Sequence, residues 1–181
     1  MKGIYMTDIV ARAKEFAINA HNGIGHVRKY TGEPYWVHPA EVAAIVSTVP
    51  HTDEMLAAAW LHDTVEDTGV SIETIRLEFG AVVAGLVADL TDVSTPGGGN
   101  RAIRKGIDLA HTASASPSAK TIKLADLLSN TASIVAHDPG FARVYLKEKA
   151  AMLEVMTDGD ATLLARAKAT LAAGLAKLEG K

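Results

Sequence analysis

The sequence predicts an all-α fold, a single helical bundle, on three observations. Alanine and leucine are plentiful while runs of Val, Ile and Thr are short, which favours helix over sheet. Apolar residues recur at three- and four-residue spacing through most of the chain, and no useful length alternates apolar with polar as a half-buried strand would. In order, Thr7-Asp8 is placed to cap a first helix carrying Ile9, Val10, Ala13, Phe16, Ala17 and Ala20. A basic, Gly-containing loop follows from Asn22 to Pro34. Pro39 stands where a helix can begin, with Val42, Ala43, Ile45 and Val46 as its apolar face. Asp53 opens a helix predicted to run to about Val65, Ser71 starts a shorter one that Gly80 ends, and Ala81–Leu90 makes another. Pro96-Gly97-Gly98-Gly99 is a flexible stretch. Arg101–His111 resumes helix, and Pro117 opens a long helix through Leu124, Leu127, Leu128, Ile134 and Val135. Pro139-Gly140 breaks it, and helices at about Phe141–Met156 and Asp160–Leu178 complete the chain.

Composition narrows the function. A chain of 181 residues suits one domain, here read as residues 1–181, and can bury about 70% of its unfolded surface. Net charge is −3, from 18 basic and 21 acidic residues, which disfavours a nucleic-acid binder. Cysteine is absent, so disulfides and thiolate metal sites are excluded, as suits a reducing compartment. Residues 1–8 lack the apolar core of a signal peptide, and no apolar run approaches the ~20 residues that cross a bilayer. The expectation is a soluble cytoplasmic protein with no membrane partner.

The densest chemical signal is Leu61-His62-Asp63-Thr64-Val65-Glu66-Asp67-Thr68, where an imidazole and three acids follow the apolar run Met55–Leu61. On a continuous helix Glu66 would sit above His62 and Asp67 above Asp63. Neighbouring acids repel, and a bound cation would turn that repulsion into attraction. Of the seven histidines, His38 precedes Pro39, and Asp126 lies among leucines in Lys123–Asn130. Alone, His38 reads as a core or capping residue and Asp126 as a partner of Lys123. Together, two imidazoles and two carboxylates make a mixed N/O set suited to Mn²⁺, Fe²⁺ or Zn²⁺. Such a cation acidifies bound water and stabilises phosphoryl charge, with Glu66 and Asp67 orienting water and handling protons.

His38, His62-Asp63 and Asp126 match in order and spacing the metal ligands of the HD-domain phosphohydrolase superfamily. Three longer strings, Arg28 to Pro39, Leu61 to Thr68, and Lys123-Leu124-Ala125-Asp126 with Asn130, resemble the hydrolase domain of RelA/SpoT homologues. The resemblance spans roughly residues 5 to 157 and is that of a small stand-alone alarmone hydrolase. It implies that His38, His62, Asp63 and Asp126 hold one metal, expected to be Mn²⁺, and that Glu66 and Asp67 are the catalytic acid pair. It further implies that Arg28 and Lys29 pack against the base and phosphates, and that Asn130 lies near the ribose. The reaction implied is water attack on the 3′-diphosphate of (p)ppGpp or (p)ppApp, releasing pyrophosphate and leaving the nucleoside 5′-di- or triphosphate.

A substrate with two phosphate arms needs separated cations. The chain offers Arg28-Lys29, Arg101-Arg104-Lys105, and Arg143 with Lys147 four residues on; Lys123 is a further candidate for a phosphate. The 101–105 group reads first as a solvated helix surface, and so, by a smaller margin, does Arg143. Two departures from the resemblance, Leu127 with Ser129 and the longer segment Gly23-Ile24-Gly25-His26, fall near the expected base pocket and leave guanine and adenine both open. Other readings are a phosphatase of another 2′- or 3′-phosphorylated nucleotide such as NADPH, a non-catalytic nucleotide-binding module, and an antitoxin to an alarmone synthetase. Trp36, Trp60 and Tyr35 read as packing residues, and the apolar stripe of the last helix as a cover for the core, with a dimer interface second.

Overall fold

The computed structural model describes residues 8–180; Thr7 and the other residues of the N-terminal segment lie outside them. Among the described residues the secondary structure is helical apart from one isolated bridge between Val27 and Pro34. The helices are α1 (Ile9–Gly23), α2 (Val37–Val46), α3 (Asp53–Leu61), α4 (Thr64–Thr68), α5 (Ile72–Leu90), α6 (Arg101–Ser114), α7 (Pro117–His137), α8 (Pro139–Val155) and α9 (Ala161–Glu179). None is long and apolar enough to cross a membrane.

Side-chain caps set most of the helix starts. Asp8, Thr52, Ser71, Asn100, Ser116, Asp138 and Asp160 each accept a backbone N–H of the first turn, an interaction worth about 1 kcal/mol apiece. Pro39 sits two residues inside α2 rather than at its start, where its missing N–H leaves no bond unmade. At Gly80, inside α5, the backbone reaches φ 87° and ψ 171°, a region essentially restricted to glycine, so the residue kinks the helix as its position predicts.

One boundary differs from the sequence reading in a way that matters. The helix begun at Asp53 does not run to Val65: it stops at Leu61, and α4 starts at Thr64 after a turn at His62-Asp63. Asp67 still stacks on Asp63 through the Asp67 N–H to Asp63 O bond of 3.0 Å. Glu66 instead reaches across to the loop after α5.

α3 occupies the centre. Ala57, Ala58, Ala59, Trp60 and Leu61 are buried, and α1, α2, α5 and α7 pack around them; alanines allow the close interaxial approach that this requires. α7 is the second axis, with Ile122, Leu124, Ala125 and Leu127 buried and contacts to α2, α5, α8 and α9. The stripe Leu163, Ala167, Leu171 and Leu178 of α9 is buried against α7 and α8, so the last helix covers the core. Gly174 permits this closeness, since a Cβ there would meet Val135 at 3.2 Å and Leu146 at 3.3 Å.

Candidate metal centre and flanking clefts

Three packed elements bring together residues far apart in sequence: His38 from α2, His62-Asp63 from the α3–α4 turn, and Asp126 from α7. His62 Nδ1 donates to the Ala59 carbonyl at 2.8 Å, so in the neutral ring Nε2 carries the lone pair. Ser129 Oγ donates to Glu41 at 2.7 Å and therefore accepts from His38 Nδ1 at 3.0 Å, so a neutral His38 ring carries its lone pair on Nε2, the atom that also lies in hydrogen-bond range of Asp126 Oδ1. Both Nε2 atoms then face carboxylate oxygens. His38 Nε2 is 3.1 Å from Asp126 Oδ1 and 3.6 Å from Asp63 Oδ2, and His62 Nε2 is 3.1 Å from Asp63 Oδ2 and 3.9 Å from Asp126 Oδ1. His62 Nε2 is buried with no hydrogen-bond partner despite that proximity.

Lone pairs converging on carboxylates repel unless a proton or a cation stands between them. Without a metal, burial opposes charge on His62, yet the Asp63 carboxylate overrides it and holds its pKa up at about 9. Metal–ligand bonds of about 2.1 Å place neighbouring ligand atoms roughly 3.0–3.5 Å apart, close to the shorter distances here. The donor set fits a divalent cation. Its orienting partners are also in place: Tyr35 Oη donates to Asp63 Oδ2 at 2.6 Å and Asn130 Nδ2 to Asp126 Oδ1 at 2.6 Å. Burial works against ionisation of both acids, but His62, His38 and Tyr35 around Asp63, and His38 and Lys123 around Asp126, hold them well below the usual carboxylate range.

Glu66 keeps a solvent-exposed edge while its carboxylate accepts the Asp92 N–H at 2.5 Å. The crowding of protein around it pushes its pKa up to about 7. Burial, and then Asp63, raise Asp67 as well. Lys123 is the part-buried cation of the group: desolvation opposes its charge, but Asp126, Asp92 and Glu66 raise its pKa, and Nζ donates to Leu90 O at 3.0 Å. Two clefts meet at Asn130 beside this cluster. The larger, about 660 Å³, carries Arg101, Lys105, Lys123 and Lys149 with Tyr145. The smaller, about 260 Å³, carries Arg28 and Lys29 with His26, Tyr30, Tyr35 and Phe141.

A family model described as "HD domain" matches residues 13–151. The chain belongs to the HD-domain family. An HD domain implies a divalent metal, and the structure holds a His/Asp cluster whose donor set suits one. Among relatives, a Danio rerio protein named guanosine-3′,5′-bis(diphosphate) 3′-pyrophosphohydrolase MESH1 is 39% identical over 127 residues, covering 68% of each chain. A Synechocystis protein named probable guanosine-3′,5′-bis(diphosphate) 3′-pyrophosphohydrolase is 41% identical over 86 residues, 48% of this chain but only 11% of its own length. A solved structure titled as a metazoan ortholog of SpoT that hydrolyses ppGpp superposes with a TM-score of 0.81 at 27% identity, over 94% of this chain and 97% of the other.

Within this HD domain the structure gathers His38, His62, Asp63 and Asp126, flanks them with Glu66 and Asp67, and places Lys123, Arg28, Lys29 and Asn130 on the clefts. Arg28 Nη1 lies 3.5 Å from Asn130 Oδ1, and Lys29 pairs with Asp138 at 3.5 Å. Arg143 and Lys147 are not brought to the clefts. The Arg143 guanidinium donates to Leu178 O at the end of α9, at 2.7 Å, and Lys147 is exposed. The face of α8 turned to the cleft carries Tyr145, Glu148, Lys149 and Met152 instead. Arg101 and Lys105 line the cleft rather than only a solvated surface, tied to Glu148 at 2.7 Å and Asp92 at 2.8 Å. Leu127 and Ser129 do not line a base pocket: Leu127 is core, and Ser129 stands behind His38. The sequence reading missed Tyr35, Ser129 and Lys149. For Tyr35 a signal existed, because it lies three residues before His38 with its backbone bonded to it.

Proposed function

We propose that the chain is a metal-dependent hydrolase that removes the 3′-diphosphate from (p)ppGpp or (p)ppApp, with residues 1–181 acting as one HD-type unit in the cytoplasm. The observation that carries this reading is the convergence of His38, His62, Asp63 and Asp126 beside two basic, partly aromatic clefts that meet at Asn130. A nucleotide phosphorylated at both ends needs cations on each side of the scissile group, and Arg28-Lys29 and Lys123-Lys149 supply them. The activity named for the MESH1 relative and for the metazoan SpoT ortholog supports the same substrate.

His38, His62, Asp63 and Asp126 would hold the metal, taken to be Mn²⁺, which when bound acidifies water and neutralises charge on the phosphoryl group. Ser129, Ala59, Tyr35 and Asn130 orient these ligands. Glu66, with a pKa near neutrality, is suited to exchange a proton with water or with the leaving 3′-oxygen, and Asp67 assists it. Lys123 balances the acids and faces a phosphate. Arg28 and Asn130 hold base and ribose in the smaller cleft, whose aromatic rings stack purines without choosing between guanine and adenine.

The test is turnover of ppGpp, ppApp and NADPH by metal-stripped protein with and without added Mn²⁺, beside a Glu66→Gln/Asp67→Asn variant. Mn²⁺-dependent pyrophosphate release from an alarmone, lost in the variant, is expected. Phosphate release from NADPH alone replaces the substrate, and no turnover with metal bound overturns the reading.

A further inference from the structure

A second group of ligand-type side chains lies beside the first. His21 near the end of α1, His26 in the following loop and Asp67 in α4 place one ligand atom each within 4.8 Å of one another. His21 Nδ1 and His26 Nδ1 are 3.1 Å apart, and His26 Nδ1 is 3.8 Å from Asp67 Oδ2. We propose that His21, His26 and Asp67 form a second divalent-cation site, with Asp67 one helical turn from Asp63 of the first, that takes a first-row transition metal such as Zn²⁺ or Mn²⁺.

Four observations carry the assignment. The nitrogen–nitrogen distance equals that of two adjacent ligands on one ion with bonds of about 2.1–2.2 Å. A hydrogen bond between the rings accounts for one proton but leaves Asp67 at 3.8 Å from His26, too far for a hydrogen bond and well placed for an ion between them. His21 is fully buried and its Nε2 has no hydrogen-bond partner, so the hydrogen-bonding contact of its ring is the Nδ1 that faces His26. The rings are also held in place: His26 stacks on Tyr35 at 3.8 Å, and the hydroxyl of the same Tyr35 binds Asp63 of the first centre. Two imidazoles with one carboxylate suit zinc, manganese or iron better than magnesium or calcium.

The position suits the chemistry. Asp63, Glu66, Asp67, Asp92 and Asp126 crowd a place where an anionic substrate must approach, with the part-buried Lys123 as a cation among them. A second ion lowers that repulsion. Asp67 then acts as a ligand, leaving Glu66 as the proton carrier. His21 Nε2 has no hydrogen-bond partner, so this site lacks the outer acceptor that orients His38 and His62. Loss of such partners weakens metal binding about 10–100-fold, so the second ion binds more weakly than the first. The site stands apart from the choice of substrate, because its test counts ions.

Metal-stripped full-length protein is dialysed to equilibrium against Mn²⁺ and, separately, Zn²⁺, and bound ions are counted by mass spectrometry, with circular dichroism to confirm folding. The expected result for at least one metal is two ions per chain in the wild type, and one in His26→Gln, in Asp67→Asn and in His62→Gln. His26 sits in a loop and is half-exposed, so its variant keeps the core intact. One ion in the wild type, lost in His62→Gln and unchanged in His26→Gln, overturns the second site while leaving the first standing. Two ions in both His26→Gln and Asp67→Asn overturn it equally, and no ion in the wild type removes both sites.

Discussion

Replacing Ser129 by alanine tests whether the chain behind His38 holds the metal ligand in its working tautomer. Ser129 Oγ accepts from His38 Nδ1 at 3.0 Å and passes its own proton to Glu41 at 2.7 Å. Ser129→Ala removes one oxygen and keeps the Cβ, so packing is nearly unchanged while a fully buried imidazole N–H loses its acceptor. Leaving such a donor unpaired costs about 1–3 kcal/mol. Independently, loss of an outer partner of a metal-bound histidine weakens metal affinity about 10–100-fold, or roughly 1.4–2.8 kcal/mol at 1.4 kcal/mol per decade. The two routes agree. Titration calorimetry of Mn²⁺ into stripped wild-type and variant protein should therefore show a Kd about 10–100 times higher in Ser129→Ala. Glu41→Gln, which still offers an oxygen to Ser129, should change it by less than about threefold. A Ser129→Ala Kd within twofold of wild type would refute the reasoning.

Tyr35→Phe keeps the ring on His26 but removes the bond to Asp63, and should weaken Mn²⁺ binding by about 1.5–3 kcal/mol, the worth of a hydrogen bond to a charged group, read in the same titration. Gly80→Ala meets no atom within 4 Å yet forces a side chain to φ 87°, so urea unfolding should show a loss of about 1–3 kcal/mol from backbone strain alone. Burial opposes ionisation of Asp108, but the Ser94 N–H and hydroxyl and Lys105 hold its pKa below the usual value. That contribution is present above about pH 4 and is lost as pH falls through the lowered pKa. Asp108→Asn should thus be less stable than wild type at pH 7, with the gap in urea midpoint closing towards pH 3. Lys123→Met should raise KM for ppGpp at least tenfold, whereas Arg143→Ala should leave it within twofold, as steady-state kinetics can check.

The convergence of the four residues proposed to hold the metal was legible because each sits in a string whose chemistry is local: His38 before a proline, His62-Asp63 beside more acids, Asp126 interrupting a leucine run. Packing of α2, α3 and α7, readable as helices from their spacing, then brings them together. The turn after Leu61 was not legible, since neither Gly nor Pro marks it, and so Glu66 was expected over His62 rather than on Asp92 N. The face of α8 was misjudged for a related reason. A four-residue spacing puts Arg143 and Lys147 on one side of the helix but does not say which side meets the cleft. That is decided by Ala142, Leu146 and Leu153, which bury against the neighbouring helices and turn Tyr145, Glu148, Lys149 and Met152 inward. Ser129 is an orientation problem too: one residue before Asn130, it points behind His38 while Asn130 reaches the cleft.

The most direct measurement is a product balance for Mn²⁺-reconstituted protein acting on ppGpp, with nucleotides separated by ion-exchange chromatography and both pyrophosphate and phosphate assayed. One pyrophosphate for each GDP formed, with no free phosphate, is the predicted result. Orthophosphate released together with a nucleotide that retains a 3′-monophosphate would contradict cleavage of the 3′-diphosphate as a unit.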